Sequence, residues 1–207
     1  MVKLKICGMR DVRNIQDVAA LGTDYMGFIF YQKSPRYVGD NFSVPSLADS
    51  VKRVGVFVNE SSEVMLKKVG ELKLDYLQLH GQESVKQCEA LKTNNVNLIK
   101  VFSVDDQFDF GKTKHYKGIA DFFLFDTKGK YHGGNAVSFD WSILEQYDQE
   151  TPFFLSGGIG PDNIGEVQML KEMNIHAVDI NSGVEVTPGL KDILKINEVK
   201  RILNSNA

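Results

Sequence analysis

The chain has 207 residues, 43% of them hydrophobic and 25% charged, enough for one full core and ordinary for a globular protein. Its formal net charge of −3 gives no basic surface for nucleic acid or an anionic membrane. Two cysteines are too few for a disulfide framework, and no apolar run approaches a membrane span.

The first β-rich run is Leu4–Cys7. Alternation along Lys3-Leu4-Lys5-Ile6-Cys7 sets both lysines and the cysteine on one face, with Leu4 and Ile6 on the other. If helices cover the apolar face, Cys7 and the lysines point into the sheet's interior. Lys5 then lies one strand repeat, about 6.6 Å, below Cys7 and favours its thiolate. Such a cysteine is either a nucleophile or general base, or a buried inert residue. The N-terminus lacks the apolar stretch of a signal peptide, so a reduced, cytoplasmic setting is expected.

Helical spacing runs from Arg10 to Leu21, and the second strand from Tyr25 to Phe30. The connection after it holds Arg36, which is either a bidentate carboxylate ligand or a solvated surface residue. A third strand, Arg53–Val58, precedes a helix over Ser61–Leu72 with Ser61 or Ser62 as N-cap. The fourth, Tyr76–His80, ends on a histidine that either touches a ligand or shapes the pocket structurally. Cys88 falls in a helical pattern and receives no role.

Leu98–Phe102 is the fifth strand, and the polar, aromatic Asp105 to Lys117 after it predicts an irregular or missing helix. Phe122–Asp126 is the sixth. Its terminal carboxyl is costly to bury without purpose, which suggests a general acid, or else a loop-bracing aspartate. The seventh, Pro152–Ser156, leads into Gly157-Gly158-Ile159-Gly160, after which Pro161-Asp162-Asn163 opens a helix through Val167 and Leu170. The eighth, Ala177–Ile180, carries Asp179, which either holds a sugar hydroxyl or braces the sheet. Asn181-Ser182-Gly183 follows, and a helix from Asp192 to Leu203 closes the pattern.

Consecutive strand ends lie roughly 22 to 30 residues apart, one βα unit each. An open doubly wound sheet is possible, but eight even units fit a (β/α)₈ TIM barrel better, with residues 1–207 as a single domain. Active sites of such barrels sit at the C-terminal strand ends, and phosphate commonly binds after strands seven and eight. Gly157, Gly158, Ser182 and Gly183 occupy those positions. The four histidines show no metal-ligand spacing, and no nucleotide-binding glycine motif is present.

Lys5-Ile6-Cys7-Gly8, Ser34-Pro35-Arg36, Gln78-Leu79-His80-Gly81, Ser156-Gly157-Gly158-Ile159, Asp179 with Ser182-Gly183-Val184-Glu185, and Pro188-Gly189-Leu190-Lys191-Asp192 occur in this order. The ordered set resembles the phosphoribosylanthranilate isomerases of tryptophan biosynthesis. The resemblance implies an Amadori rearrangement of N-(5-phosphoribosyl)anthranilate to 1-(2-carboxyphenylamino)-1-deoxyribulose 5-phosphate. It implies Cys7 as general base, Asp126 as general acid, and Arg36 on the anthranilate carboxylate. Asp179, with His80, would contact substrate, and the glycine turns would hold phosphate. A small phosphorylated substrate is the expected partner, with no nucleic acid, membrane, metal or cofactor, and a monomer is the favoured state.

The sequence departs from the family at Asn135 and Ala136, where threonine and glycine are usual, and more mildly at Asn181, where serine is usual. A histidine-pathway isomerase would place aspartate at the end of strand one, and epimerases of this type need metal ligands. A catalytically dead phosphometabolite sensor would need neither Cys7 nor Asp126.

Overall fold

A computed structural model describes residues 2–127 and 140–205; Asn135 and Ala136 lie outside them. Eight parallel strands close into a barrel: β1 (Lys3–Ile6), β2 (Tyr25–Ile29), β3 (Lys52–Phe57), β4 (Tyr76–Leu79), β5 (Asn97–Val104), β6 (Phe122–Thr127), β7 (Phe153–Leu155) and β8 (Ile175–Ile180). Each sits where an apolar run predicts it. The last pairs with the first, with Lys5 opposite Asp179.

Four crossings carry α-helices. These are α1 (Val12–Ala20), α2 (Ser62–Leu72), α3 (Val85–Lys92) and, after β8, α4 (Ile193–Asn204). Each begins at a side chain that accepts a hydrogen bond from a first-turn amide: Asp11, Ser61, Ser84 and Asp192. Among the described residues, the crossings after β5, β6 and β7 carry 3₁₀ turns in place of α-helices, at Phe110–Tyr116, Trp141–Gln146 and Ile164–Leu170. The third replaces the helix that Pro161 was expected to open. It is short and carries Gly165 inside, which lowers its α preference.

Alternation divides the apolar residues between two regions. Leu4, Ile6, Met26, Phe28, Phe123 and Phe125 join the layer between strands and helices. Tyr25, Val54, Ile99, Val101, Leu124, Phe154 and Ala177 fill the barrel itself, capped toward the C-terminal ends by Cys7, Ile29 and Val56. The β7–β8 register shifts between Phe153 and Phe154, and there His176 lies against Tyr25, Phe122 and Phe154. Beyond β8 the chain forms a two-stranded antiparallel hairpin, β9 (Glu185–Thr187) and β10 (Leu190–Lys191), in which Lys191 pairs with Glu185.

Candidate active site

Cys7 follows β1, and its amide extends the ladder by donating to Ile180 O at 2.9 Å. The side chain is buried, as the alternation predicts. Across from it, β2 has Gly27, where a Cβ would come within 2.7 Å of Sγ. The thiol therefore takes the space that a side chain on β2 would fill.

Lys5, one repeat below, is fully buried, with Nζ 2.8 Å from Asp179 Oδ1. As expected, Lys5 favours the Cys7 thiolate, but it is not the largest influence on it. Burial pushes the Cys7 thiol up and Asp179 adds to that, with Lys5 and Lys191 opposing but not prevailing. Burial also works against the Lys5 ammonium, but Asp179 and then Cys7 outweigh it and hold Lys5 above the ordinary lysine value. Asp179 is pushed up by burial and also by Asp126, against the pull of Lys5.

Asp126 is the penultimate residue of β6 and is buried. Its Oδ1 accepts the Thr127 amide at 3.0 Å, and its Oδ2 lies 3.3 Å from His80 Nε2. Gln78, two residues before His80 on β4, sets its Nε2 3.4 Å from His80 Nδ1. An amide nitrogen only donates, so with this orientation Nδ1 accepts and Nε2 carries the proton aimed at Asp126. Gln78 also has an unpartnered buried Oε1 at the cavity wall. Gln78 was not among the expected site residues, although its inward position one strand repeat before His80 was an available signal.

Arg36 is buried, which excludes the solvated alternative. Its Nε and Nη2 donate to Glu185 at 2.8 and 2.6 Å. It is not among the residues that line the cavity, whereas neighbouring Ser34 is. Glu185 also accepts from Lys191 Nζ at 2.7 Å. Burial works to raise the Glu185 carboxyl, but Arg36 and Lys191 together hold it below its ordinary value. Burial in turn lowers Lys191 to about 8 against the pull of Glu185.

Two turns form a further part of the wall. Gly157 has a φ of +105°, and a Cβ there would sit 2.1 Å from Thr127 Oγ1; at Gly183 it would sit 2.1 Å from Ile159 O. The backbones of the two turns thus lie against each other and against the end of β6, as only glycine permits. One cavity at the C-terminal rim is lined by Cys7, Gln78, His80, Asp126 and Asp179 together with Gly157, Gly158, Ser182 and Gly183. Of the residues singled out in the sequence, all but Arg36 reach this cavity directly. Cys88 is remote from it, buried beneath α3, and burial pushes its thiol up to about 11.

Residues 4–201 match the family model of N-(5'-phosphoribosyl)anthranilate (PRA) isomerase. The chain is 46% identical over 206 residues to the N-(5'-phosphoribosyl)anthranilate isomerase of Parabacteroides distasonis, covering 97% of this chain and 93% of the relative. Its counterpart from Phocaeicola vulgatus is 43% identical, covering 91% of each chain. The crystal structure of phosphoribosyl anthranilate isomerase from Thermotoga maritima superposes with a TM-score of 0.84 at 31% identity, covering 99% of this chain and 100% of that one. A phosphoribosyl anthranilate isomerase in complex with reduced 1-(o-carboxyphenylamino)-1-deoxyribulose 5-phosphate superposes at 0.81, also at 31% identity, with the same coverage of each chain.

Proposed function

The chain belongs to the N-(5'-phosphoribosyl)anthranilate isomerase family, and on that premise we propose how its rim opens and rearranges N-(5-phosphoribosyl)anthranilate in tryptophan biosynthesis. The observation that carries the reading is the shared cavity. Cys7 and Asp126, from strands on separate arcs of the barrel, face one space that the two glycine turns close.

The phosphate lies between Gly157-Gly158 and Ser182-Gly183, held by backbone N–H groups that glycine leaves accessible. The ring carboxylate goes to the free edge of the Arg36 guanidinium. Protonated Asp126 gives its proton to the ribose ring oxygen, the C1–O bond breaks, and a Schiff base forms between C1 and the anthranilate nitrogen. His80, itself held by Gln78, orients Asp126. Cys7, as thiolate, then takes the proton from C2; the C2–H pair forms the C1–C2 double bond while the C1–N π pair moves onto the protonated nitrogen, giving the enolamine, which becomes the ketose as C1 takes up a proton and the 2-hydroxyl gives one up. Lys5 stabilises the thiolate when it forms, and Asp179 holds ribose hydroxyls while neutralising Lys5.

Every group named comes from one chain, so a monomer suffices, with residues 1–207 as one domain. A reducing compartment, the cytoplasm, suits chemistry that runs on a free thiol. The direct test is to follow loss of phosphoribosylanthranilate fluorescence with purified protein, without added cofactor. No turnover beside tight binding of the substrate would instead identify a sensor.

A further inference from the structure

The hairpin β9–β10 lies outside the barrel, yet its two ends reach the candidate site. Glu185 opens it and Lys191 closes it, paired in register. The Glu185 carboxylate receives Arg36 on both oxygens, the Lys191 ammonium at 2.7 Å and the Gly189 amide at 2.9 Å. The Lys191 ammonium also donates to Asn181, at 3.1 Å to its backbone oxygen and 2.7 Å to its side-chain oxygen. Asn181 immediately precedes Ser182-Gly183. Lys191 is held at its own backbone, where Asn14 of α1 accepts from its amide at 2.8 Å and donates to its carbonyl at 2.9 Å. The Lys191 side chain is fully buried and that of Glu185 is 6% exposed.

We propose that Glu185 and Lys191 are positioning residues that set the distance between the two anionic ends of the substrate. Glu185 fixes the guanidinium of Arg36, Lys191 fixes the root of the phosphate turn, and their mutual ion pair locks one to the other. This rests on the assignment of the ring carboxylate to Arg36 and the phosphate to the glycine turns. By occupying Nε and part of Nη2, Glu185 removes the fork's freedom to rotate and leaves the Nη1 side for a second carboxylate. The buried set holds two cations against one carboxylate, a surplus suited to an anionic ligand on its open side. Three groups from the β2 loop, the end of β8 and the hairpin thus act as one rigid piece.

The test compares Glu185→Gln, Lys191→Met and Arg36→Ala in the isomerisation, with inorganic phosphate as a competitive inhibitor that reads the phosphate end alone. Loss of one charge-assisted contact predicts KM roughly 10-fold higher in Glu185→Gln, with kcat within about 3-fold and phosphate inhibition unchanged. Lys191→Met should raise both KM and the phosphate inhibition constant, and Lys191→Arg should recover part of both. Combining Arg36→Ala with Glu185→Gln should raise KM no further than Arg36→Ala alone. If Glu185→Gln melts below the assay temperature, Glu185→Asp, which keeps the charge but shortens the reach, is read the same way. A raised KM in Arg36→Ala beside a wild-type KM in the Glu185 variants overturns the inference alone. A wild-type KM in Arg36→Ala overturns the carboxylate assignment, and the inference falls with it.

Discussion

His80 Nε2 lies 3.3 Å from Asp126 Oδ2, joining the ends of β4 and β6 across β5. A proton donor whose own position is set by a neighbouring strand needs no rearrangement when substrate arrives. Asp126→Asn should lower kcat by roughly 10²–10⁴, the range for a positioned acid, with KM little changed. His80→Ala should cost less, because it leaves the carboxyl in place but unoriented. Equal losses in the two variants would make His80 a proton carrier in its own right.

Cys7 must be ionised to act as base, and burial first, then Asp179, push its thiol up. The sign follows directly: kcat/KM should keep rising with pH beyond the ordinary thiol value of about 8.5, because only the deprotonated form works. Lys191 loses its charge from about 8 upward, which withdraws one of the cations opposing burial and broadens the rise. Cys7→Ala should drop kcat by roughly 10²–10⁴, and Cys7→Ser should not restore it. A plateau near pH 7 in the kcat/KM profile would assign the base elsewhere.

At Gly157, φ is +105° and a Cβ would strike Thr127 Oγ1. Gly157→Val should therefore displace the turn, raising KM and weakening inhibition by inorganic phosphate more than it lowers kcat. Phosphate inhibition identical to that of the wild type would move the anion away from this turn.

Removing the carboxylate of Asp179 leaves the Lys5 ammonium buried without its counter-ion. Asp179→Leu should destabilise the fold by about 3–5 kcal/mol, the usual cost of breaking a buried pair from one side. The pair's partners do not gain equally: Lys5 is held above its ordinary value, whereas Asp179, facing Asp126 as well, is pushed up. The stabilisation carried by Lys5 is thus full below the unfolded lysine value, about 10.4, and is lost as pH rises through the higher folded one. Denaturant midpoints measured between pH 7 and 11 should fall in the wild type at the alkaline end. The double variant Lys5→Met with Asp179→Leu should be more stable than Asp179→Leu alone.

His176 lies against Tyr25, whose hydroxyl is 2.7 Å from its Nε2, and burial lowers it to about 4. The folded protein keeps it neutral while the unfolded chain protonates it from about pH 6.5 downward. Stability should therefore decline as pH falls from about 6.5 toward 4. His176→Gln removes the titration and should flatten that decline in urea midpoints; an unchanged slope would place the acid sensitivity elsewhere.

The barrel was legible because its strands are apolar on both faces and evenly spaced, so Lys5 and Cys7 stand out in β1. The rim residues were legible for the same reason, each following an apolar run. What the sequence hid was pairing at a distance. Asp179 lies 174 residues from Lys5, so alternation showed the cation beside Cys7 but neither the anion that neutralises it nor the burial that opposes the thiolate. Glu185 lies 149 residues from Arg36, and nothing local marks it as the group that holds the guanidinium. The helix expected after Pro161 failed for a local reason, since a seven-residue stretch with an internal glycine settles into 3₁₀ turns.

Because β1 is closed by β8, parts of the chain made far apart in time meet at Cys7. At roughly 5–20 residues per second, synthesis separates residue 7 from residue 191 by roughly 10–40 s. Throughout that interval the cysteine on the nascent chain has neither the burial nor the neighbours that keep it protonated, and it behaves as a free thiol open to oxidants and alkylating agents. Closing the seam ends this exposure. The chemical risk to Cys7 is therefore greatest before folding, during translation, and loss of its reactivity is a clock for completion of the barrel.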